Sequence, residues 1–331
     1  MKHVKRFSDD EVRMILCTDI HRGSKISKVA LFVSVLSLVW IVPAIGDDTV
    51  YTIDTIAEGL LGAEAQFTDL RLDYNDQRCV YRDGNSICPF RIVKAVYAQK
   101  VSKQDPNDPN KPKKLRYLDR KSYLIDQNTK QITLVEDTLS TFNGKGTTVL
   151  NRKAKRGKLM RAVILEGYDP NQFPAYDMDP HTKIWYCGKK IGRILKENRK
   201  TFRTESEAEL LDGVSTIKLT GTFADGKITM KLWISPERNF LPLKRQISKT
   251  GGRLLSETAL YELVQLPNGM WYPKIIRSPD EPPGAPNPRM TQVYNISKIS
   301  IEPITEEFFS PEFSPGTYVI DDINKVSYTT Y

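Results

Sequence analysis

Apolar and polar residues alternate along most of the chain. Leu70, Leu72 and Tyr74 alternate with charged residues, as in a strand with one face in water. The same period of two runs from Ile217 to Phe223 and from Ile228 to Ile234, with a short Asp-Gly turn between the runs, so these two runs predict a β-hairpin. Further β-rich runs, each bounded by Gly, Pro, Asn or Asp, lie at 90–101, 130–142, 158–167, 254–266 and 291–303.

Helical periodicity is confined to short segments. Apolar residues from Ile53 to Leu61 recur at the spacing of one amphipathic helix, which we expect to end at Gly62. Shorter helices are predicted at 167–176, 189–198 and 305–309. Because the strands follow one another through turns and not through helical crossovers, the pattern predicts a mainly β protein with an antiparallel meander.

Two Pro-rich polar loops, at 103–113 and 278–288, interrupt this pattern. Strand patterning continues on both sides of each loop, so the loops join strands and not domains. The sequence therefore predicts one domain from 47 to 331, without internal repeats.

The first 46 residues have the layout of a secretory signal. Lys25 and Lys28 precede an uncharged run at 29–42, which Pro43 and the small residue Gly46 follow. Fourteen residues rise about 21 Å as a helix, short of the ~30 Å bilayer core, so we expect cleavage after Gly46. This predicts a periplasmic or otherwise extracytoplasmic protein.

Two alternatives remain open for this leader. Residues 29–45 could span a thin membrane if the helix tilts, in which case the leader is an uncleaved anchor and the protein contacts the membrane through it. The segment that precedes Lys25 is long for a secretory signal, and a start at Met14 instead of Met1 would shorten it. In each case the rest of the chain is exported.

Two cysteines support export. Cys79 and Cys88 flank Asp83-Gly84, a strong signal for a two-residue hairpin turn. Counting outward from that turn, they form a non-hydrogen-bonded pair with Cα atoms about 4.5 Å apart, close enough for a disulfide, and Pro89 then ends the ladder. The alternative is a pair of reduced thiols. Cys187 is left without a partner in this scheme.

Composition narrows the class without fixing a function. The 331 residues are 40% hydrophobic and 27% charged, which is typical of a folded globular protein. Because only one apolar run is long enough to interact with a membrane, a multi-span membrane protein is excluded. The net charge of +9 is spread along the chain. Basic clusters at 111–121, 151–161 and 189–203 are interleaved with acids or apolar residues, so we interpret them as solvated outer faces and expect no nucleic-acid partner.

Catalytic chemistry has little support in the sequence. After the leader there is one histidine, His181, which lies near Asp177, Asp179 and Cys187 at a spacing that matches no zinc motif. A hydrolase centred on His181 and Asp179 is a minor hypothesis. We expect no catalytic residue, no metal and no cofactor.

Two segments resemble a known superfamily. Residues 230–276 contain a strand ending in Trp233-Ile234, a Pro-Glu-Arg-Asn turn and the run Pro267-Asn268-Gly269-x-Trp271-Tyr272-Pro273, and residues 304–322 include Pro315-Gly316-Thr317. These are similar to the outer-membrane lipoprotein-sorting, or LolA/LolB-like, superfamily. The resemblance implies an incomplete β-barrel: one strongly curved sheet whose concave face is covered by an N-terminal helix and a few short helices and holds acyl chains.

These observations lead to one main hypothesis and one alternative. We expect a non-enzymatic protein that binds a lipid, a lipoprotein acyl group or another amphiphile in the hollow of the half-barrel. The alternative is a structural or sensory envelope protein that binds another protein through the same sheet and its Pro-rich loops. The pattern leaves open whether the hollow is a cavity or a filled core. The candidate lining residues are Ile53, Ile56, Leu60, Leu70, Leu72, Tyr74, Ile217, Leu219, Phe223, Ile228, Met230, Leu232 and Ile234.

Overall fold

Two helices and sixteen strands make up the described part of the chain. The computed structural model describes residues 51–82, 85–101, 114–153, 160–169, 190–205, 209–223, 226–249, 251–252, 254–279 and 289–331. The helices are α1 (Ile53–Glu64) and α2 (Ile191–Glu197). The strands are β1 (Asp69–Arg82), β2 (Asn85–Val101), β3 (Lys114–Ile125), β4 (Ile132–Phe142), β5 (Gly146–Asn151), β6 (Arg161–Glu166), β7 (Phe202–Thr204), β8 (Glu209–Leu211), β9 (Val214–Phe223), β10 (Ile228–Ser235), β11 (Leu241–Lys249), β12 (Leu254–Gln265), β13 (Trp271–Pro279), β14 (Arg289–Ser300), β15 (Tyr318–Asp321) and β16 (Val326–Thr329).

All the described strands belong to one curved sheet that does not close into a barrel. Strands β1 to β6 pair in chain order, and so do β9 to β14, which gives two antiparallel meanders. The first strand, β1, joins them by pairing with β14 as well as with β2. The predicted fold class, a mainly β half-barrel with an N-terminal helix, is confirmed. One pair departs from the antiparallel pattern, because β15 lies parallel to β6.

Helix α1 starts and ends close to the predicted positions. The hydroxyl of Thr52 caps the helix by accepting a hydrogen bond from the backbone N–H of Thr55, at 3.1 Å. The buried residues Ile56, Ala57 and Leu60 form the apolar stripe. The expected end at Gly62 is wrong by two residues, since the helix continues to Glu64. A single glycine lowers helix propensity by about 1 kcal/mol, which the apolar contacts of α1 outweigh.

The two faces of the sheet are covered by different segments. We call the face that α1 and α2 cover the inner face. Leu70 and Leu72 of β1 lie on it in one buried cluster with both helices. On the outer face Phe309, in a short 3₁₀ turn at Glu306–Phe309, packs against β2 and β3. Neither described helix has the length and apolar character needed to cross a bilayer.

The disulfide hairpin follows the predicted register. Val80 lies opposite Ile87, and Cys79 and Cys88 form a disulfide with their Cα atoms 4.4 Å apart. Such bonds persist in oxidising compartments. The prediction that Pro89 ends the ladder is wrong, because a bulge removes it from the pairing and the ladder resumes where Arg78 faces Arg91.

Several sequence predictions fall outside the described residues. They concern the leader at 1–46, the Asp83-Gly84 turn, the loop at 103–113 and most of the segments at 167–176 and 278–288. The helices predicted at 189–198 and 305–309 are present as α2 and the 3₁₀ turn.

Candidate ligand-binding face

Apart from Phe223, the predicted lining residues lie together on the inner face. Alternation along β1, β9 and β10 points them to one side, and the helix residues meet them from above. Leu219, Leu232 and Ile234 are completely buried, whereas Ile53 and Ile217 are half-buried at the margin. In this conformation the apolar part of the inner face is packed against the lid. The side chain of Phe223 lies outside the described part; the other members of this apolar cluster from the prediction are Ile56, Leu60, Leu70, Leu72, Tyr74, Ile228 and Met230.

The helices α1 and α2, which we call the lid, approach their neighbours through glycines. A Cβ placed on Gly59 would lie 2.5 Å from Cγ of Phe240, and one on Gly192 would lie 2.9 Å from the carbonyl oxygen of Ala57. The first contact joins α1 to the turn before β11, and the second joins the two helices. Tyr51 packs edge-on against Phe240, with ring centroids 6.1 Å apart. Larger side chains at Gly59 or Gly192 would push the lid outward.

Two ion pairs between described residues lie at the margin of the lid. Lys190 forms an ion pair with Glu64. Arg199 lies 3.3 Å from Asp54, with both side chains more than half exposed. The exposed Arg199–Asp54 pair contributes at most about 1 kcal/mol, whereas Glu64 is largely buried in its pair with Lys190. Both pairs join α1 to the ends of α2, and the helix residues buried against the sheet are apolar.

Beyond the apolar cluster the inner face carries charged side chains that the sequence analysis did not single out. Asp76 and Arg78 continue the alternation of Leu70, Leu72 and Tyr74 along β1. Arg91 lies opposite Arg78 on β2. We call the following five residues the arginine cluster: Asp76, Arg78, Arg91, Arg120 and Glu136.

Hydrogen bonds link Arg91, Arg120 and Glu136 across β2, β3 and β4, and a separate bond joins Arg78 to Asp76 within β1. Arg78 donates from Nε to Oδ2 of Asp76 at 3.1 Å. Arg91 donates from Nε to the hydroxyl of Ser122 at 2.6 Å and from Nη2 to Glu136 at 3.1 Å. Arg120 donates to the other oxygen of Glu136. One carboxylate therefore bridges two arginines.

Gln292 connects the cluster to the neighbouring strand β14. Its side-chain amide donates to Oδ2 of Asp76 at 2.7 Å, so that oxygen accepts from both Gln292 and Arg78. The carboxylate of Asp76 is almost completely buried.

Burial and mutual repulsion change the pKa values in this region. Burial, followed by the charge of Arg78, lowers the pKa of Arg91. Burial, followed by the charge of Asp76, raises the pKa of Tyr74 well above its usual value. The phenol of Tyr74 therefore stays neutral at the boundary between the apolar cluster and the charged side chains.

One interpretation of the basic segments needs correction. The segment 111–121 was expected on a solvated outer face, but Arg120 lies on the inner face because it shares the parity of Leu118, a buried member of the apolar cluster. A signal for this was present, since residues two apart on a strand point to the same side. Arg152 of the segment 151–161 does lie on the outer face, where it pairs with Asp119 and Asp137.

Metal ligands are not grouped in the described ranges, where no three His, Cys, Asp or Glu side chains come together. The residues of the minor hydrolase hypothesis, His181 and Asp179, lie outside those ranges, as do Asp177 and Cys187.

Among the comparisons with known proteins, only the one with solved structures found similar chains. No family model matches the chain, and no curated protein matches it. A domain described as an outer membrane lipoprotein-sorting protein from Vibrio parahaemolyticus is 10% identical, with a TM-score of 0.35 and coverage of 78% of this chain and 97% of that one. A LolA superfamily protein from Nitrosomonas europaea is 12% identical, with a TM-score of 0.37 and coverage of 79% and 99%.

A third solved structure is a lipoprotein, LppX, from Mycobacterium tuberculosis. It is 11% identical, with a TM-score of 0.23 and coverage of 76% of this chain and 97% of that one.

Proposed function

We propose that this is an exported, non-enzymatic protein that binds a lipid, a lipoprotein acyl group or another amphiphile between the lid and the inner face of its sheet. We place it in the periplasm or another extracytoplasmic compartment, where its disulfide would persist. The sequence resemblance supports the same ligand class, because the superfamily resembled holds acyl chains on this face.

The observation that carries the proposal is the nature of the contact between the lid and the sheet. Two short helices cover an extended apolar face, and Ile56, Leu60 and Ile194 are buried against it. Apolar attraction is non-directional and proportional to the area covered, so an acyl chain can replace helix side chains at little cost. A contact held by many oriented hydrogen bonds would not allow this exchange.

Binding then requires the lid to move, because the inner face is filled when the lid is down. Leu72, Leu232 and Ile234 have no exposed area in this conformation. A ligand stabilises an open form by its difference in affinity for the open and closed forms. Uptake should therefore stop when the lid is locked.

A disulfide between positions 59 and 240 provides that lock. A Cβ on Gly59 lies 2.5 Å from Cγ of Phe240, which places it within about 4 Å of the Cβ of residue 240, inside the range that a disulfide spans. The double variant Gly59→Cys/Phe240→Cys also removes the ring that would clash with a larger residue at 59. Oxidised double variant should take up no fluorescent fatty acid, and reductant should restore uptake.

The controls separate the lock from other effects. The single variants Gly59→Cys and Phe240→Cys, and the natural chain with its Cys79–Cys88 bond, are measured with and without the same reductant. Uptake by these three controls should be the same with and without the reductant. Equal uptake by the oxidised and reduced double variant would show that no ligand enters under the lid, and no uptake by the natural chain would reject the proposed function.

A further inference from the structure

We propose that the arginine cluster receives the anionic head group of the amphiphile, so that the protein selects ligands bearing a carboxylate or a phosphate ester. This inference rests on the proposed function and specifies its ligand class. Three arginines against two carboxylates give Asp76, Arg78, Arg91, Arg120 and Glu136 one net positive charge.

Arg78 and Arg91 repel each other, although Asp76 pairs with the first and Glu136 with the second. The two arginines lie directly opposite each other on neighbouring antiparallel strands and point to the same face. Like charges in this relation destabilise a sheet. The Cys79–Cys88 disulfide lies beside the bulge that sets this register, so the fold holds the two arginines together. An anion between them would remove the repulsion.

The cluster is also incompletely satisfied. Nε of Arg120 is a buried donor that has no hydrogen-bond partner among the described residues. A purely structural network gains stability only when every buried member is paired. The side chains of Arg78, Arg91 and Arg120 remain 27%, 29% and 30% exposed, so their other N–H groups can reach a ligand.

The cluster lies next to the apolar cluster, as an amphiphile requires. Arg91 and Val93 are two residues apart on β2 and share the inner face, so their backbones are separated by about 6.6 Å. Val93 is buried in the apolar cluster, as are Tyr74 and Leu118 on the adjoining strands. A head group at Arg91 would therefore direct its acyl chain along the inner face and under the lid.

Equilibrium binding of three ligands with the same acyl chain tests this inference. A fatty acid carries a carboxylate, a lysophosphatidic acid carries a phosphate ester, and a monoacylglycerol carries no charge. We expect the natural chain to bind at least one charged ligand roughly tenfold more tightly than the monoacylglycerol, because charge-assisted hydrogen bonds are about twice as strong as neutral ones. Comparison of the two charged ligands tells which anionic group fits.

Variants that remove either a positive or a negative charge from the cluster make the test specific. Arg91→Gln and Arg120→Gln should reduce the preference for the charged ligand roughly tenfold, whereas Glu136→Gln should increase it. Arg152→Gln, which removes an ion-paired arginine from the outer face, is the matched control and should leave the preference unchanged. Arg91→Lys keeps the charge and should retain part of the preference if Arg91→Gln fails to fold.

The outcomes distinguish this inference from the function on which it rests. Equal affinity for all three ligands, unaffected by the substitutions at Arg91 and Arg120, would overturn the head-group site and leave amphiphile binding intact. Binding of none of the three by the natural chain would overturn both.

Discussion

Gly59 and Gly62 form a matched pair of sites that tests how the lid rests on the sheet. Both lie in α1, three residues apart, and both are candidates for substitution by alanine. In a helix interior this change stabilises by roughly 0.5–1 kcal/mol, because alanine loses less conformational freedom on folding. The two sites differ in what a new methyl group would contact.

The surroundings of the two glycines predict opposite results. A Cβ at Gly62 would meet no atom within 4 Å in the described part of the chain, so only the gain in helix propensity remains. At Gly59 the methyl group would lie 2.5 Å from Cγ of Phe240, far inside van der Waals contact. Cγ moves only if Phe240 changes its χ1 rotamer or its backbone shifts, and its backbone φ of 56°, which is unusual for a residue other than glycine, restricts that adjustment.

The expected magnitudes follow from these contacts. Overpacking costs about 1–3 kcal/mol. We therefore expect Gly62→Ala to raise the free energy of unfolding by roughly 0.5–1 kcal/mol. The free energy of unfolding of Gly59→Ala should be about 1–3 kcal/mol lower than that of Gly62→Ala. Urea denaturation followed by circular dichroism measures both values, with an unchanged m-value as the sign that the folded state is the same.

A double variant shows whether Phe240 is the cause. Adding Phe240→Ala to Gly59→Ala removes the clashing ring, so the two substitutions should be non-additive, with the alanine at 59 less harmful when the ring is absent. If Gly59→Ala stabilised the protein as much as Gly62→Ala does, α1 would not rest against Phe240, and the lid described above would be misplaced.

Two further predictions concern the disulfide and a buried phenol. Cys79→Ser should lower the free energy of unfolding by roughly 2–3 kcal/mol by the chain-entropy model, seen as a lower melting temperature, and titration of denatured protein before and after reduction should show two additional thiols; no increase would refute the Cys79–Cys88 bond. Burial, followed by the charge of Asp76, raises the pKa of Tyr74 in the folded protein above that of an unfolded tyrosine, which is about 10. The neutral phenol therefore contributes fully to the free energy of unfolding below pH 10, and this contribution is lost as the pH rises further. Tyr74→Phe should therefore lose less stability between pH 9 and pH 11 than the natural chain, and equal losses in urea midpoints would contradict the burial of this phenol.

Local alternation predicted much of the sheet. The hairpin of β9 and β10 pairs Phe223 with Ile228 and Ile217 with Ile234, as the two apolar runs indicated. Counting from the Asp-Gly turn likewise gave the Cys79–Cys88 pair. In these cases the partners are close in sequence, so turn chemistry and period fix the register.

The sequence did not reveal β3, for a physical reason. The inner positions of this strand include Leu118, Arg120 and Ser122, of which two are polar, so its apolar period is broken. The polar residues contribute to the arginine cluster or to its hydrogen bonds. A site that places charge on a buried face thus hides the strand that carries it.

Long-range pairings were also beyond the reach of the pattern. The contact of β1 with β14 joins residues more than 200 positions apart, such as Arg71 and Ser300. The parallel pair of β15 with β6, at Tyr318 and Arg161, depends on how the C-terminal segment crosses the outer face. Alternation identifies a strand and its buried side but does not identify its partner.

Native mass spectrometry of protein purified from its own host tests the central claim most directly. If the inner face binds an amphiphile under the lid, a fraction of the protein should carry the added mass of one such molecule, and mild activation should release it as an anion, as the arginine cluster requires. The oxidised Gly59→Cys/Phe240→Cys variant should carry none. The account would be contradicted if the spectrum of the natural chain contained unliganded protein alone and the protein took up no fluorescent fatty acid.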